Sequence, residues 1–303
     1  MTEKALCIPC AGEQLVGVFH APERAAGSAA QRAILMVVGG GPQYRGGGHR
    51  QLLLWARQLA RHGYPVLRFD YRGMGDSSGT FGGFTTIDED LRAAIDRLLV
   101  EAPDAREVIL WGECDASAAI LSYAYRDPRI KGLTLQNVWV QTEAGQADAI
   151  LRSYYWQRLL QPSFWRKVFR FEYNPVRTAR EALSYARKAI AGRRERARAE
   201  RAVVATSFSS VLQQPLPAGL SLPERLLEGL RRFKGPVLLT LSGRDIVAQE
   251  FALLIKSSPA WQATLAAKPA TRHDMPLADH TFSSAPQRNE VLQRSLDWLA
   301  SLP

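Results

Sequence analysis

Cysteine is scarce in this 303-residue chain, which has only three: Cys7, Cys10 and Cys114. Three cysteines are too few for a disulfide framework, so we expect a protein of a reducing compartment. Cys7 and Cys10 have the spacing of a redox or metal motif, but the sequence offers no second pair of ligands and no βαβ pattern before them. We interpret them as ordinary residues of a first strand, and we expect no metal and no cofactor.

Long apolar runs are also missing from the sequence. No run reaches the roughly 18 to 20 residues that a membrane-spanning helix needs. The first residues, Met-Thr-Glu-Lys-Ala-Leu-Cys, lack the basic segment and apolar stretch of a signal peptide. We therefore expect no transmembrane segment and a cytoplasmic location.

Acidic residues are outnumbered, with 29 Asp and Glu against 39 Lys and Arg and a net charge of +10. Such a charge can indicate nucleic acid or an anionic membrane as a partner. However, Arg177 to Arg201 alone holds nine Lys or Arg and three Glu, a local surplus of six. A run of this kind is typical of a solvated helix face or loop. We expect no nucleic-acid partner, although the run permits weak peripheral contact with an anionic membrane or polymer.

The composition, with 46% hydrophobic and 22% charged residues, is that of a globular protein with a large core. Apolar runs of strand length alternate with helical segments, which predicts an α/β fold with a mostly parallel sheet flanked by helices. The predicted strands are 13–20, as an antiparallel edge strand, then 32–38, 64–69, 108–111, 133–138, 236–241 and a final strand at 263–267. The predicted helices are 49–62, 86–100, 115–125 and 284–299.

The alternation stops between residues 140 and 232, where no segment has a convincing strand pattern. Aromatic clusters recur there at helical intervals: Tyr154-Tyr155-Trp156, Phe164-Trp165 and Phe169-Arg170-Phe171. We interpret 140–232 as a helical lid inserted into a single core, whose two parts are 1–139 and 233–303. Because insertions over strand ends shape binding sites, we expect specificity to lie in this lid.

A nucleophile elbow is predicted at Gly112-Glu113-Cys114-Asp115-Ala116. The segment lies between a predicted strand and a helix that begins with small residues, which is the strand-turn-helix context of such elbows. Cys114 stands where the nucleophile is usually serine, and Ala116 replaces the second glycine. The alternative is that Cys114 is only a small buried apolar residue.

An acid and a histidine should follow the nucleophile in that order. Asp245 fits the acid because it comes just after the predicted strand 236–241; the alternative is a surface turn residue. Two of the five histidines, His273 and His280, follow the predicted final strand. We favour His280 because its loop directly precedes the closing helix, and His273 is the alternative.

Acyl transfer also needs N–H donors for a developing oxyanion. One donor should be the backbone of Asp115, and the other Gly40 or Gly41, since Pro42 has no N–H. The glycine run could instead hold phosphate, but it lacks the Gly-Lys-Ser/Thr ending of a nucleotide loop. We expect the Asp115 carboxylate to point away from the sulfur, and the helix N-terminus and an imidazolium to lower the pKa of Cys114.

Two family resemblances extend these observations. Phe69-Asp70-Tyr71-Arg72-Gly73-Met74-Gly75-Asp76-Ser77 resembles the Asp-x-Arg-Gly-x-Gly-x-Ser segment of the α/β-hydrolase superfamily. Residues 38–45, the elbow and Asp279-His280-Thr281-Phe282 resemble the first hydrolase family of exosortase-A-associated gene clusters. That resemblance implies a cytoplasmic hydrolase-fold protein of Gram-negative bacteria that sort proteins and make exopolysaccharide. The glycine run of this chain is one residue longer than the Val-Gly-Gly-Pro-Gln form expected for that family.

Together the residues predict a Cys-His-Asp hydrolase that acts on an ester or thioester through an acyl-enzyme. The substrate would be a small-molecule or saccharide-linked acyl compound. One alternative is an acyltransferase that uses the same triad with another acceptor, such as a saccharide hydroxyl. The other is a non-catalytic binding protein that keeps the fold and the pocket.

Overall fold

A computed structural model describes residues 2–23, 29, 31–140, 215–217 and 219–303. Within this part of the chain the strands are β1 (Glu3–Cys10), β2 (Glu13–His20), β3 (Arg32–Val37), β4 (Val66–Asp70), β5 (Glu107–Glu113), β6 (Ile130–Gln136), β7 (Val237–Ser242) and β8 (Ala270–Met275). The α-helices are α1 (Gln51–Arg61), α2 (Asp88–Glu101), α3 (Asp115–Tyr123), α4 (Leu222–Arg232), α5 (Ile246–Ser257), α6 (Pro259–Ala266) and α7 (Ala285–Ser301).

One eight-stranded sheet forms the centre of the molecule, in the order β1-β2-β4-β3-β5-β6-β7-β8. Strands β3 to β8 are parallel, and β2 joins them antiparallel to β4. Every residue of β3, β4 and β7 is buried, as expected for strands covered on both faces. The predicted α/β-hydrolase fold is thereby confirmed, with β5 in the middle of the sheet.

Helices cover both faces of the sheet. Trp111 packs against Trp55 of α1, with ring centroids 5.5 Å apart. The neighbouring Gly112 faces Ile120 of α3, and successive strand residues point to opposite faces. Thus α1 and α3 lie on opposite sides of β5. Among the described residues, no helix combines the length and apolar character needed to cross a membrane.

Two strand predictions were wrong. The strand Glu13–His20 is antiparallel as predicted, but β1 pairs along its outer side, so it is not the edge. Residues 263–266 belong to α6, which begins at Pro259 after the N-cap Ser258, and Ala267 is the C-cap of that helix, so this segment is not a strand. The last strand is β8, whose residues Ala-Thr-Arg-His-Asp-Met are mostly polar because it forms the other edge of the sheet.

Most of the predicted lid, residues 141–214 and 218, lies outside the described residues. The end of the predicted range is α4, which begins with a capping box formed by Ser221 and Glu224. This helix packs on α3 so closely that a Cβ at Gly229 would lie 1.9 Å from the carbonyl oxygen of Leu121. Helix α4 therefore packs as part of the hydrolase core. The lid prediction is left with the residues that precede this helix.

Candidate active site

Cys114 lies in the sharp turn between β5 and α3, with φ 58° and ψ −125°. A non-glycine residue in such a conformation costs on the order of 1–3 kcal/mol and is typical of functional sites. A Cβ at Gly112 would lie 2.6 Å from Ile120 Cδ1 and 2.9 Å from the Ser117 backbone nitrogen, so glycine is required before the turn. The backbone N–H of Cys114 donates to the Gln136 carbonyl at 2.9 Å. The strained turn thus holds the thiol at the carboxyl end of the central strand.

Asp245 is the N-cap of α5 and directly follows the turn after β7. Its carboxylate accepts the backbone N–H groups of Val247 at 3.1 Å and Ala248 at 3.0 Å. The Oδ2 atom also lies 2.8 Å from Nδ1 of His280. The helix N-terminus therefore fixes a buried carboxylate in contact with a histidine.

His280 connects this carboxylate to the thiol. Since Nδ1 faces Asp245, Nε2 is left for the thiol of Cys114, and both residues line the same cavity. His273 lies instead within β8, and its Nε2 is 2.9 Å from Glu290 Oε1. The structure thus brings Cys114, His280 and Asp245 together and leaves His273 in a separate ion pair.

The glycine run approaches the same thiol from β3. Gly40 and Gly41 have φ values of +89° and +81°, which only glycine adopts readily. The Gly40 N–H donates to Asp115 Oδ1 at 2.7 Å. The carboxylate is turned to the glycine run, and burial together with the Asp115 charge raises the pKa of Cys114.

A cavity of about 420 Å³ opens over these groups, which is the size of a small-molecule site. Trp139 and Thr281 form part of its wall, and two acidic residues, Glu113 and Asp115, also line it. No Lys or Arg lines the cavity in the part of the chain that the structure describes. The described wall therefore suits an uncharged reacting group better than an anionic one.

Residues 30–281 match the family model of serine aminopeptidases of the S33 type. The chain belongs to the serine aminopeptidase S33 family. It is an enzyme of the α/β-hydrolase type, although cysteine occupies the elbow of this family member. No curated protein sequence matches the chain.

Solved structures with the same fold include several esterases. An esterase from Pyrococcus furiosus has a TM-score of 0.60 and 14% identity, covering 99% of this chain and 91% of its own. The esterase domain of a Rhodothermus marinus protein has a TM-score of 0.55 and 18% identity, covering 98% and 97%. Est1E from Butyrivibrio proteoclasticus, solved with ferulic acid, has a TM-score of 0.55 and 13% identity, covering 98% and 100%. At these identities the likeness shows the shared fold.

The thiol and the imidazole of this S33 family member influence each other's protonation. Burial raises the pKa of the Cys114 thiol, and this outweighs the hydrogen bond from His280, which lowers it. The expected lowering of the thiol pKa was therefore wrong. The interaction of the imidazole with the Asp245 carboxylate, followed by its interaction with Cys114, raises the pKa of His280 to about 11. Burial thus favours a neutral thiol beside a neutral imidazole, whereas the Asp245 carboxylate favours a thiolate beside an imidazolium. Because Cys114 and His280 interact in this way, they titrate as one coupled pair.

Asn137, which the sequence reasoning missed, ties the histidine loop to the sheet. Its Nδ2 donates to the His280 carbonyl at 2.8 Å and to Ser242 Oγ at 3.0 Å. Its Oδ1 accepts the Ser242 N–H at 2.9 Å. The signal in the sequence was a polar residue directly after a buried strand, at the same sheet edge as Cys114 and Asp245.

Glu113 and Gln51 form a second pair that the sequence reasoning missed. Both side chains are buried, and Gln51 Nε2 donates to Glu113 Oε2. The Oε1 atoms of both residues have no hydrogen-bond partner among the described residues. Burial raises the pKa of Glu113 to about 7, with the charge of His280 opposing this rise. If Glu113 is protonated, its carboxylic acid and the Gln51 amide can form two hydrogen bonds with each other.

Proposed function

We propose that this S33 family member cleaves an ester or thioester by transferring its acyl group to Cys114. His280 is the general base and Asp245 the acid that orients it. One observation carries this proposal: a strained elbow presents Cys114 to His280, whose Nδ1 lies 2.8 Å from a buried carboxylate. This is the geometry of nucleophile, base and orienting acid that acyl transfer needs.

In the first step, His280 Nε2 accepts the thiol proton while the sulfur bonds the carbonyl carbon. The carbonyl π pair moves onto oxygen, where backbone N–H groups of Asp115 and of Gly40 or Gly41 would stabilise the charge. The pair then re-forms the carbonyl, and the alcohol or thiol leaves with the proton from His280. Water adds to the thioester in the same way, its proton going to His280, and the carboxylic acid leaves as the thiol is restored.

The substrate class follows from the described cavity and from the lid prediction. The wall carries Glu113 and Asp115 close to Cys114, which suits a small-molecule or saccharide-linked acyl group without an anion at the reacting carbonyl. Residues 140–221, the part of the predicted lid 140–232 that precedes α4, would complete the site as a lid. The resemblance to the exosortase-associated hydrolases supports a cytoplasmic role in an exopolysaccharide-linked pathway.

Transfer to another acceptor is a second candidate function. The acyl-enzyme on Cys114 would be a thioester, which a hydroxyl group can attack as well as water can. A saccharide hydroxyl held in the cavity would then give an acyltransferase with the same three residues. The cysteine in place of serine is the observation that favours this candidate.

Intact-mass measurement after incubation with a panel of activated esters and thioesters tests the proposal. We expect one added acyl mass, absent in Cys114→Ala and unchanged in Cys7→Ala, which is the matched cysteine control. A saccharide added after acylation separates the two functions, because the acyltransferase would release acylated saccharide and the hydrolase the free acid. No acyl mass and no turnover on any member would leave a non-catalytic binding protein.

A further inference from the structure

The Asp115 carboxylate occupies the place that the proposed mechanism gives to the oxyanion. Its Oδ1 accepts the Gly40 N–H at 2.7 Å. The Gly40 N–H is one of the donors that should face the developing charge on the substrate oxygen. In the free protein, a side chain of the elbow already uses it.

The neighbouring backbone is built around this carboxylate. A Cβ at Gly39 would lie 2.6 Å from Asp115 Oδ1 and 2.2 Å from the carbonyl oxygen of Glu113. Any side chain at residue 39 would therefore displace the carboxylate or the elbow. The absence of a side chain there keeps open the space in which the carboxylate lies.

Two negative groups cannot share this donor. A substrate oxyanion beside an ionised Asp115 would be repelled by it, and the Gly40 N–H bonded to the carboxylate would be unavailable to the oxyanion. The carboxylate must therefore leave before the tetrahedral intermediate forms. Only binding contacts elsewhere on the substrate can supply the free energy for this displacement.

We propose that Asp115 is a specificity-determining residue, whose carboxylate fills the oxyanion hole of the free protein and must be displaced by the substrate carbonyl. This inference rests on the proposed function, since it assumes that Cys114 adds to a carbonyl. Substrates with an extended acyl or leaving group bind through many contacts and displace the carboxylate. Small activated esters lack those contacts and react slowly.

Inhibition by a small aldehyde, propanal, measures the access to the oxyanion hole. The Cys114 thiolate bonds the aldehyde carbon, and the π pair moves onto oxygen to give an alkoxide. Iodoacetamide provides the comparison, because the sulfur displaces iodide from a CH₂ carbon and no oxyanion forms. Propanal is measured as an inhibitor of alkylation, with each variant's alkylation rate taken on its high-pH plateau, where the thiol is fully ionised.

The variants are Asp115→Ala, Asp115→Asn and the exposed control Asp104→Ala. If the carboxylate fills the hole more than nine-tenths of the time, its removal should tighten propanal binding about tenfold or more. The propanal affinity of Asp115→Asn should lie between those of wild type and Asp115→Ala, and the affinity of Asp104→Ala should equal that of wild type. The preference for a long-chain over an acetyl ester, measured as a ratio of kcat/KM, should fall in Asp115→Ala.

Unchanged or weaker propanal binding in Asp115→Ala and Asp115→Asn, with alkylation intact, would overturn the inference and make Asp115 a residue that positions the glycine run. If Asp115→Ala does not fold, Asp115→Asn carries the test, because it keeps the volume and can still accept an N–H. Failure of Cys114 to be alkylated or acylated in wild type would instead contradict the proposed function. The two failures are therefore distinguishable.

Discussion

Two loops approach Cys114 from opposite sides, and they are held in different ways. The base loop, residues 279–283, is fixed by Asp279, whose carboxylate accepts the N–H groups of Thr281 at 3.2 Å and Ser283 at 3.0 Å. Asn137 binds its backbone, and its Phe282 ring is buried against Trp55. The glycine loop, residues 39–43, is held by side chains of Asp115 and Gln43 that bond its backbone.

The two loops differ in whether a bound substrate has to displace the contacts that hold them. In the proposed mechanism, the contacts of the base loop lie behind His280 and stay in place during the reaction, so the base would be preorganised. The main contact of the glycine loop uses the Gly40 N–H, which the same mechanism assigns to the substrate oxygen. We therefore propose that the base is ready in the free protein, whereas the oxyanion hole becomes available only when a substrate displaces Asp115.

Removal of the base should have the largest effect. We expect His280→Ala to lower kcat/KM by about 10³-fold or more, because the thiol then has no proton acceptor. His273→Ala, which removes the ion pair with Glu290, is the matched histidine control and should keep most of the activity. Steady-state kinetics on an activated ester decides between them, and the reverse result would make His273 the base.

Loss of the orienting acid should lower the rate and also move its pH dependence. Because Asp245 raises the pKa of His280, Asp245→Asn should shift the acid limb of the kcat/KM profile to lower pH. The maximal rate should fall about 10²-fold or more, since the imidazole loses its orienting partner. Asp274→Asn, which alters an exposed ion pair with Arg272, should leave the profile unchanged. An unshifted acid limb in Asp245→Asn would separate Asp245 from the base.

Loosening the base loop should have an intermediate effect. In Asn137→Ala the His280 carbonyl and the Ser242 N–H lose their partner, so His280 should be misplaced. We expect a loss of about 10- to 100-fold in kcat, and about 1–3 kcal/mol of stability from unsatisfied buried groups. Asn289→Ala on the exposed face of α7 is the control. Full activity in Asn137→Ala would show that the base loop does not depend on this residue.

The sequence predicted the parts of the site that are local. The elbow is visible because Gly112, Cys114 and Ala116 are close together between a strand and a helix. The orientation of Asp115 was not visible, because it depends on a glycine loop 75 residues earlier in the chain.

The contacts of Asn137 and the pairing of Gln51 with Glu113 likewise join residues that are distant in sequence. The last strand was missed for a different reason. Its polar edge pattern is weak, whereas the apolar residues 263–267 look like a strand until the Ser258 cap is taken into account.

The remaining expected effect is on stability and not on the rate, at the residue before the nucleophile. Burial raises the pKa of Glu113 to about 7 in the folded state, above its unfolded value. Its contribution to stability is therefore full below the unfolded pKa and is lost as pH rises through about 7. Glu113→Gln keeps the shape, offers an N–H to Gln51 and does not titrate.

Urea unfolding of wild type and Glu113→Gln at pH 5 and pH 8 checks this effect. The free energy of unfolding of Glu113→Gln, relative to that of wild type, should increase by up to about 3 kcal/mol as pH rises, because a shift of one pKa unit corresponds to about 1.4 kcal/mol. Asp104→Asn on the protein surface should show no such trend. A constant difference between wild type and Glu113→Gln would mean that Glu113 is ionised in the folded protein throughout this range.

Alkylation rates of the three cysteines test the central claim most directly, since exposure and catalysis predict opposite orders. Cys7 is exposed, whereas Cys114 is buried with only 5% of its surface accessible. If His280 activates Cys114, peptide mapping after limited iodoacetamide treatment should show Cys114 modified first, and His280→Ala should remove that preference. Faster modification of Cys7, with Cys114 equally slow in wild type and in His280→Ala, would contradict the account.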